Sequence, residues 1–230
     1  MSEKGAIFTQ ETFRFLRDLS RNNRKEWMDA NRERYRAHVV EPLRALLDRL
    51  TPLVQKLYPG FDVSGRTGRN FSRINRDIRF ATDKRPYRTQ VYLTFFDHQA
   101  DSWEDGQLYV GIAADAVTAG FRIYSDSRQS RLAQIAIPRA AENADWLEQQ
   151  ARRLAKKFES YWYRLEKGEW TKHDGWPIRS EEWKRLKGWI VRRKMKPTEV
   201  TRKGFVIEVS RIFRELFALY EFVSLPRWKS

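Results

Sequence analysis

The sequence predicts an α+β fold: N-terminal helices, a central antiparallel sheet of three or more strands, and C-terminal helices packed on it. Three observations carry this reading. Apolar residues recur at helical spacing over residues 8–58, they alternate with period two within residues 61–125, and helical spacing returns over residues 126–224. No repeat, low-complexity tract or Gly/Ser linker interrupts the chain, so its 230 residues are expected to form one domain with a full core.

The elements follow in order. Thr9 suits an N-cap, and Phe8 can staple onto Phe13 ahead of Leu16 and Leu19. Asn22-Asn23 can end that helix in the left-handed conformation, and Asn23 with Glu26 can form a capping box for the next. Trp27, Asn31 and Tyr35 share one face, followed by Val39, Leu43, Leu46 and Leu50. Pro42 should kink or break this run, and Thr51-Pro52 reads as a fresh helix start. Strands are expected at residues 90–96, 107–113 and 117–124, with an acidic, solvated loop over 97–106. After Ser127, Pro138 interrupts a helical region that resumes through Trp146, Gln150, Leu154 and Phe158. Residues 160–203 read as irregular and basic, with a short helix capped by Ser180 and a brief strand at Trp189–Val191. A final helix is expected over 204–223.

Composition excludes several chemistries. There is no cysteine, hence no disulfide, thiolate metal site or cysteine nucleophile. His38, His98 and His173 are far apart and lie in no metal-ligand motif, so no metal is expected. Asp101, Glu104 and Asp105 could attract Mg²⁺, but an acidic hairpin loop is most often simply solvated. Walker, nucleophile-elbow and dinucleotide motifs are absent. The start of the chain lacks the apolar core of a signal peptide, and no uncharged stretch approaches the roughly 18 residues that span a bilayer. A cytoplasmic location without membrane insertion is the expectation.

The net charge is +15, and it is clustered. Residues 59–96 carry +5 and 181–230 carry +7, on either side of an acidic stretch at 97–125 that carries −4. Such a surface attracts nucleic acid, nucleotides or acidic proteins. The most unusual segment is SRINRDIRFATDKRPY, Ser72 to Tyr87. Its cations recur every three residues, which suits neither face of a strand, so a strand to about Ile74 should give way to a structured loop. Arg73, Arg76, Arg79 and Lys84 could bind phosphate or carboxylate, with Asp77 and Asp83 holding the forks or one of them acting as a general base. Tyr87 closes the segment. Asn23, Trp27 and Tyr35 would contribute if their helix lies against this loop. A second candidate is Arg192, Arg193 and Lys194, in a stretch where Trp183 and Trp189 are better placed for core packing than for stacking on bases.

Two stretches resemble a known family. FRFLRDLSRNNRKEWMDANRERY (Phe13–Tyr35) and SRINRDIRFATDKRPYRT (Ser72–Thr89) are similar to the family catalogued as domain of unknown function 2461, found as bacterial conserved hypothetical proteins. The resemblance extends over most of the chain and is weakest at 160–203. It implies a full-length single domain and brings no activity, substrate or cofactor with it. It draws attention to Arg76, Asp77, Arg79, Phe80, Asp83, Lys84, Pro86 and Tyr87, and to Asn22, Asn23, Trp27 and Tyr35.

Three readings of function fit these residues. The leading one is a domain that binds a phosphate-bearing anion, nucleic acid or nucleotide, through the Arg-rich loop. The second is an enzyme acting on a small anionic or phosphorylated substrate, with Asp77 or Asp83 as acid or base. The third is a protein-interaction module with an acidic partner, in which the Arg–Asp network is structural.

Overall fold

The computed structural model describes residues 5–101, 103–124 and 127–228. Residues 1–4, part of the stretch read as lacking a signal-peptide core, lie outside the described residues. The fold is α+β. Helix α1 (Gln10–Arg21) starts at N-cap Thr9 and is followed by α2 (Lys25–Ala30), α3 (Arg32–Tyr35) and α4 (Glu41–Leu57). Strands β1 (Gln90–Phe95), β2 (Gln107–Ala113) and β3 (Val117–Tyr124) lie where alternation places them. Helices α5 (Ile137–Glu142) and α6 (Ala144–Leu154) precede strands β4 (Glu159–Glu166) and β5 (Glu169–Asp174). The chain continues through α7 (Ser180–Lys184), β6 (Leu186–Met195), α8 (Pro197–Val200) and α9 (Phe205–Ser224). The six strands form one antiparallel sheet in the order β1-β2-β3-β6-β4-β5.

Two prolines are absorbed by the same device. Pro42 follows a π-helical turn at Arg36–Val40, and Pro138 follows another at Leu132–Ala136. A proline lacks the N–H that would bond four residues back, and a widened turn accommodates the gap. Pro52 behaves otherwise. It lies inside α4 on the exposed side, and the Thr51 hydroxyl donates to the Leu47 carbonyl (2.9 Å) instead of capping a new helix.

Residues 160–203 are the main correction. In place of an irregular region there is a β4–β5 hairpin and a ten-residue β6. The hairpin turns on Lys167 (φ 50°) and Gly168 (φ 86°), two consecutive left-handed residues that match the twist of the strands. A Lys-Gly turn carries a weaker signal than Asn-Gly, and Tyr161, Trp162 and Tyr163 leave no polar face to alternate with.

Two compact units are distinguished. The first comprises Met1–Thr94, Val110–Thr118 and Lys194–Arg211, and the second Phe95–Tyr109, Ala119–Arg193 and Ile212–Ser230. In the first, Phe8, Phe13, Phe15, Leu16 and Leu19 are buried with Leu43, Leu46, Leu47 and Leu50. Phe15 packs on Trp27 (5.6 Å) and Tyr35 (5.7 Å), and Phe8 meets Phe205 edge-on. In the second, Phe213 of α9 meets Phe95, and Trp189 of β6 is enclosed by Phe121, Trp176 and Trp183. Trp183 and Trp189 are fully buried. Arg139 donates to the carbonyls of Phe222 (2.5 Å) and Leu225 (2.9 Å), covering acceptors that a helix end leaves unpaired. Among the described residues no helix is long and apolar enough to cross a membrane.

Candidate functional site: an arm braced by its own charges

Residues 73–88 form an arm with a paired neck. Asn75 and Tyr87 face each other as an isolated antiparallel bridge, closed by Arg76 N–H to Pro86 O (2.8 Å) and Arg88 N–H to Ile74 O (2.7 Å). In such a pair the N–H and C=O of Tyr87 point away from Asn75 and need another partner. Asn23 supplies it: its Nδ2 donates to Tyr87 O and its Oδ1 accepts from Tyr87 N–H, both at 2.9 Å. One side chain thus replaces the next strand of a sheet. Three expectations are corrected here. Asn23 does not cap α2, whose N-cap is Arg24, and the segment before Ile74 forms isolated bridges instead of a strand. Nor does the backbone reverse through a left-handed Asn22, which has φ −124°.

Beyond the neck the arm is held by its own ions. Asp77 accepts from Arg79 Nε (3.0 Å), Nη2 (2.7 Å) and N–H (3.2 Å). Asp83 accepts from Arg85 N–H and Nε (both 3.0 Å) and Nη2 (2.8 Å), and from Arg76 Nη1 (2.8 Å). Arg76 also donates to Arg85 O, and Lys84 Nζ to Ile78 O (3.1 Å). In both Asp-x-Arg units the aspartate turns the chain and then takes the guanidinium two residues on. Arg79's hydrogen bonds hold the Asp77 carboxyl below its usual range, and those of Arg85, joined by Arg76, hold Asp83 well below. Carboxylates so strongly held in the ionised form are weak proton acceptors at neutral pH.

The structure therefore brings together Arg76, Asp77, Arg79, Asp83 and Lys84, but it turns them onto one another. Arg73 is exposed beside Gly68, and Tyr87 is buried at the neck. Trp27 and Tyr35 pack on Phe15, and burial pushes the Tyr35 phenol up. Of the Asn-Trp-Tyr set, Asn23 is the one hydrogen-bonded to the arm. Arg192 is engaged by Glu159 (2.5 Å) in the second unit, Arg193 is half-buried there, and Lys194 is exposed in the first unit. What the arm presents outward is Phe80, 96% exposed at its tip, with the Arg79 guanidinium 6.0 Å from the ring.

A buried ionic network lies elsewhere, in the loop expected to be solvated. Asp97 and Asp105 are buried, with Arg131 donating to Asp97 (2.7 Å) and lying 3.6 Å from Asp105. Arg131 also donates to Ser224 O, and the Tyr220 hydroxyl donates to Asp105 (3.1 Å). The Asp97 and Gly106 N–H groups also donate to Asp105, and the Ser224 side chain bonds it as well. Burial pushes the Asp105 carboxyl up against the pull of Arg131, and burial followed by Asp105 raises the Tyr220 phenol far above its usual range. In the first unit a smaller network joins Asp62 to Arg69 (2.7 Å), with the buried Asn70 side chain donating to Asp62 O and Thr94 O. Composition could not separate Asp97 and Asp105 from Asp101 and Glu104. The usable signal is position, since both buried aspartates lie two residues from a strand end. Among the described residues no group of His, Asp or Glu is arranged to hold a metal ion.

A family model described as conserved hypothetical protein (DUF2461) matches residues 11–222. The chain belongs to this family. The match spans Asn23 and the arm. No curated protein matches the chain.

Proposed function

We propose that this DUF2461 chain is a protein-interaction module that offers Phe80, on a braced arm, to an acidic partner. The observation that carries the reading is the combination of a fully exposed aromatic with carboxylates already committed to their own arginines. A loop built to receive an anion would keep its guanidinium forks open. This one closes two of them and keeps its tip fixed. Fixing the tip in advance lowers the ordering cost of association, and burying a Phe side chain in a partner contributes about 1.5–3 kcal/mol. The arm carries Arg73, Arg76, Arg79, Lys84, Arg85 and Arg88 against Asp77 and Asp83, which favours an acidic counterpart.

The test places a benzoylphenylalanine photocrosslinker at position 80 in the cell of origin, followed by titration of the captured partner against the purified chain. A discrete protein adduct, whose partner binds the wild type and loses affinity with Phe80→Ala and with Arg79→Glu, is the expected result. A nuclease-sensitive adduct would instead restore the nucleic-acid reading of the arm. The absence of any discrete adduct would remove the interaction reading.

A further inference from the structure

One face of the second unit's strands is aromatic, cationic and open. Cross-strand pairing sets Tyr161 opposite Ile190 and Asp174, Tyr163 opposite Gly188 and Lys172, Leu165 opposite Trp170, and Glu159 opposite Arg192. Directly paired residues project to the same side of a sheet. Tyr124 of β3 joins them, since a Cβ on Gly188 would lie 2.6 Å from its ring. The missing side chain at Gly188 lets that ring lie close over the backbone. The rings form a continuous track: Trp103 to Tyr124 (6.1 Å), Tyr124 to Trp170 (6.3 Å), Trp170 to Tyr163 (6.0 Å) and Tyr163 to Tyr161 (5.8 Å). Trp103 is 71% exposed and Trp170 39%, and the three tyrosines are half-buried.

Cations lie on these rings. Arg192 and Lys172 stand 5.0 and 4.7 Å from the Tyr161 ring centre, and Arg122 stands 4.6 Å from that of Tyr109. Strand β6, between β3 and β4, carries no acidic residue, and its Arg192 lies on this face whereas Arg193 alternates to the side of Trp189 and Val191. Burial pushes the Tyr161 phenol far up despite Arg192, so it stays a neutral hydrogen-bond donor.

We infer that this face is a stacking platform for single-stranded nucleic acid, with bases on the Trp103–Tyr124–Trp170–Tyr163 track and phosphates at Arg192, Lys172 and Arg122. Aromatic rings receive any base, and the cations beside them meet the backbone. Arg192 and Lys172 already hold Glu159 and Asp174, but those carboxylates are exposed (46% and 83%). Exchanging an exposed ion pair for a phosphate costs little. A neutral polysaccharide would match the rings and leave Arg192, Lys172 and Arg122 without a role. The site is independent of the Phe80 arm.

The test is fluorescence anisotropy of the full chain with labelled oligothymidylate and oligouridylate of about 20 nucleotides, longer than one platform covers. The salt series runs from about 50 to 200 mM. Saturable binding to either strand is expected, with tryptophan fluorescence quenched and affinity falling as salt rises. Trp103→Ala and Trp170→Ala should each weaken binding by about fivefold or more. Arg192→Gln should weaken it and flatten the salt dependence. Phe80→Ala should leave it unchanged, and melting curves check that each variant is folded. The two oligonucleotides distinguish DNA from RNA. The inference is overturned by no saturable binding to either, by binding that both tryptophan variants leave intact, or by quenching with a soluble glucan in place of the oligonucleotides.

Discussion

Replacing Asn23 with alanine removes both hydrogen bonds that hold the neck of the arm, with one substitution and no change in the arm itself. Tyr87 is only 8% exposed, so its N–H and C=O would lose their partners in a place that water reaches poorly. A neutral hydrogen bond contributes about 1 kcal/mol net, and a buried group left unpaired costs about 1–3 kcal/mol. Together the expected loss is about 2–4 kcal/mol. For a chain of this size that corresponds to a melting temperature lower by about 4–16 °C. Asn23→Asp should also destabilise despite its near-identical shape, because it keeps the acceptor for Tyr87 N–H and sets an oxygen against Tyr87 O. The assay is urea unfolding with hydrogen exchange at the amides of Arg76 and Arg88, which close the neck and should exchange faster in both variants. A stability within about 0.5 kcal/mol of wild type would refute the clamp. So would a loss of stability with exchange at those two amides unchanged.

Other outcomes follow from the same geometry. Phe80→Ser should leave unfolding within about 0.5 kcal/mol of wild type, since the ring is 96% exposed; a clear loss by urea titration would mean that it packs within the fold. Arg131→Met strands Asp97 and Asp105 in the interior and should cost about 3–5 kcal/mol at neutral pH. Burial already raises Asp105, and losing Arg131 raises it further, so its favourable contribution belongs to the protonated form and fades as pH rises through the folded value. The deficit of that variant should therefore shrink toward acid pH in parallel urea titrations. Asp62 has the opposite sign. Burial alone would push it up, but hydrogen bonds from Ser64 and Arg69, with the Arg69 charge, hold it below its usual range. Its contribution is present above the unfolded aspartate pKa of about 3.9 and is lost as pH falls through the lower folded value. Asp62→Asn should accordingly flatten the acid limb of a stability profile. Gly120→Ala would bring a Cβ to 2.2 Å from Val191 O and should cost about 1–3 kcal/mol or more by thermal melting.

The elements that periodicity could reach were legible. Gln90–Phe95, Gln107–Ala113 and Val117–Tyr124 alternate or are continuously apolar, and Phe205–Ser224 shows a broad apolar face, so local pattern and final structure agree. Where the pattern was ambiguous, tertiary pairing chose. Tyr161–Tyr163 became a strand because β6 offered a partner, although its Lys-Gly turn is an unusual one. The candidate loop was legible as a structured segment rich in Arg and Asp, but not the direction of its charges. Arg76, Arg79 and Lys84 could equally have faced a ligand, and spacing cannot tell a guanidinium that meets phosphate from one that meets Asp83.

By itself the sequence determined the class of fold, the helical and β segments, the lack of thiol chemistry and the concentration of positive charge, because each depends on residue types or on neighbours a few positions apart. Tertiary structure alone decided that Asn23 reaches Tyr87, 64 positions along the chain, and that Asp105 is buried under Tyr220, 115 positions away. It also decided that Phe80 is left in solvent, whereas the core placement of Trp183 and Trp189 was already legible in the sequence. The physical reason is the same in each case. A polar side chain takes whichever partner the folded backbone brings within about 3 Å, and the identity of that partner is set by chain topology, which no local pattern encodes.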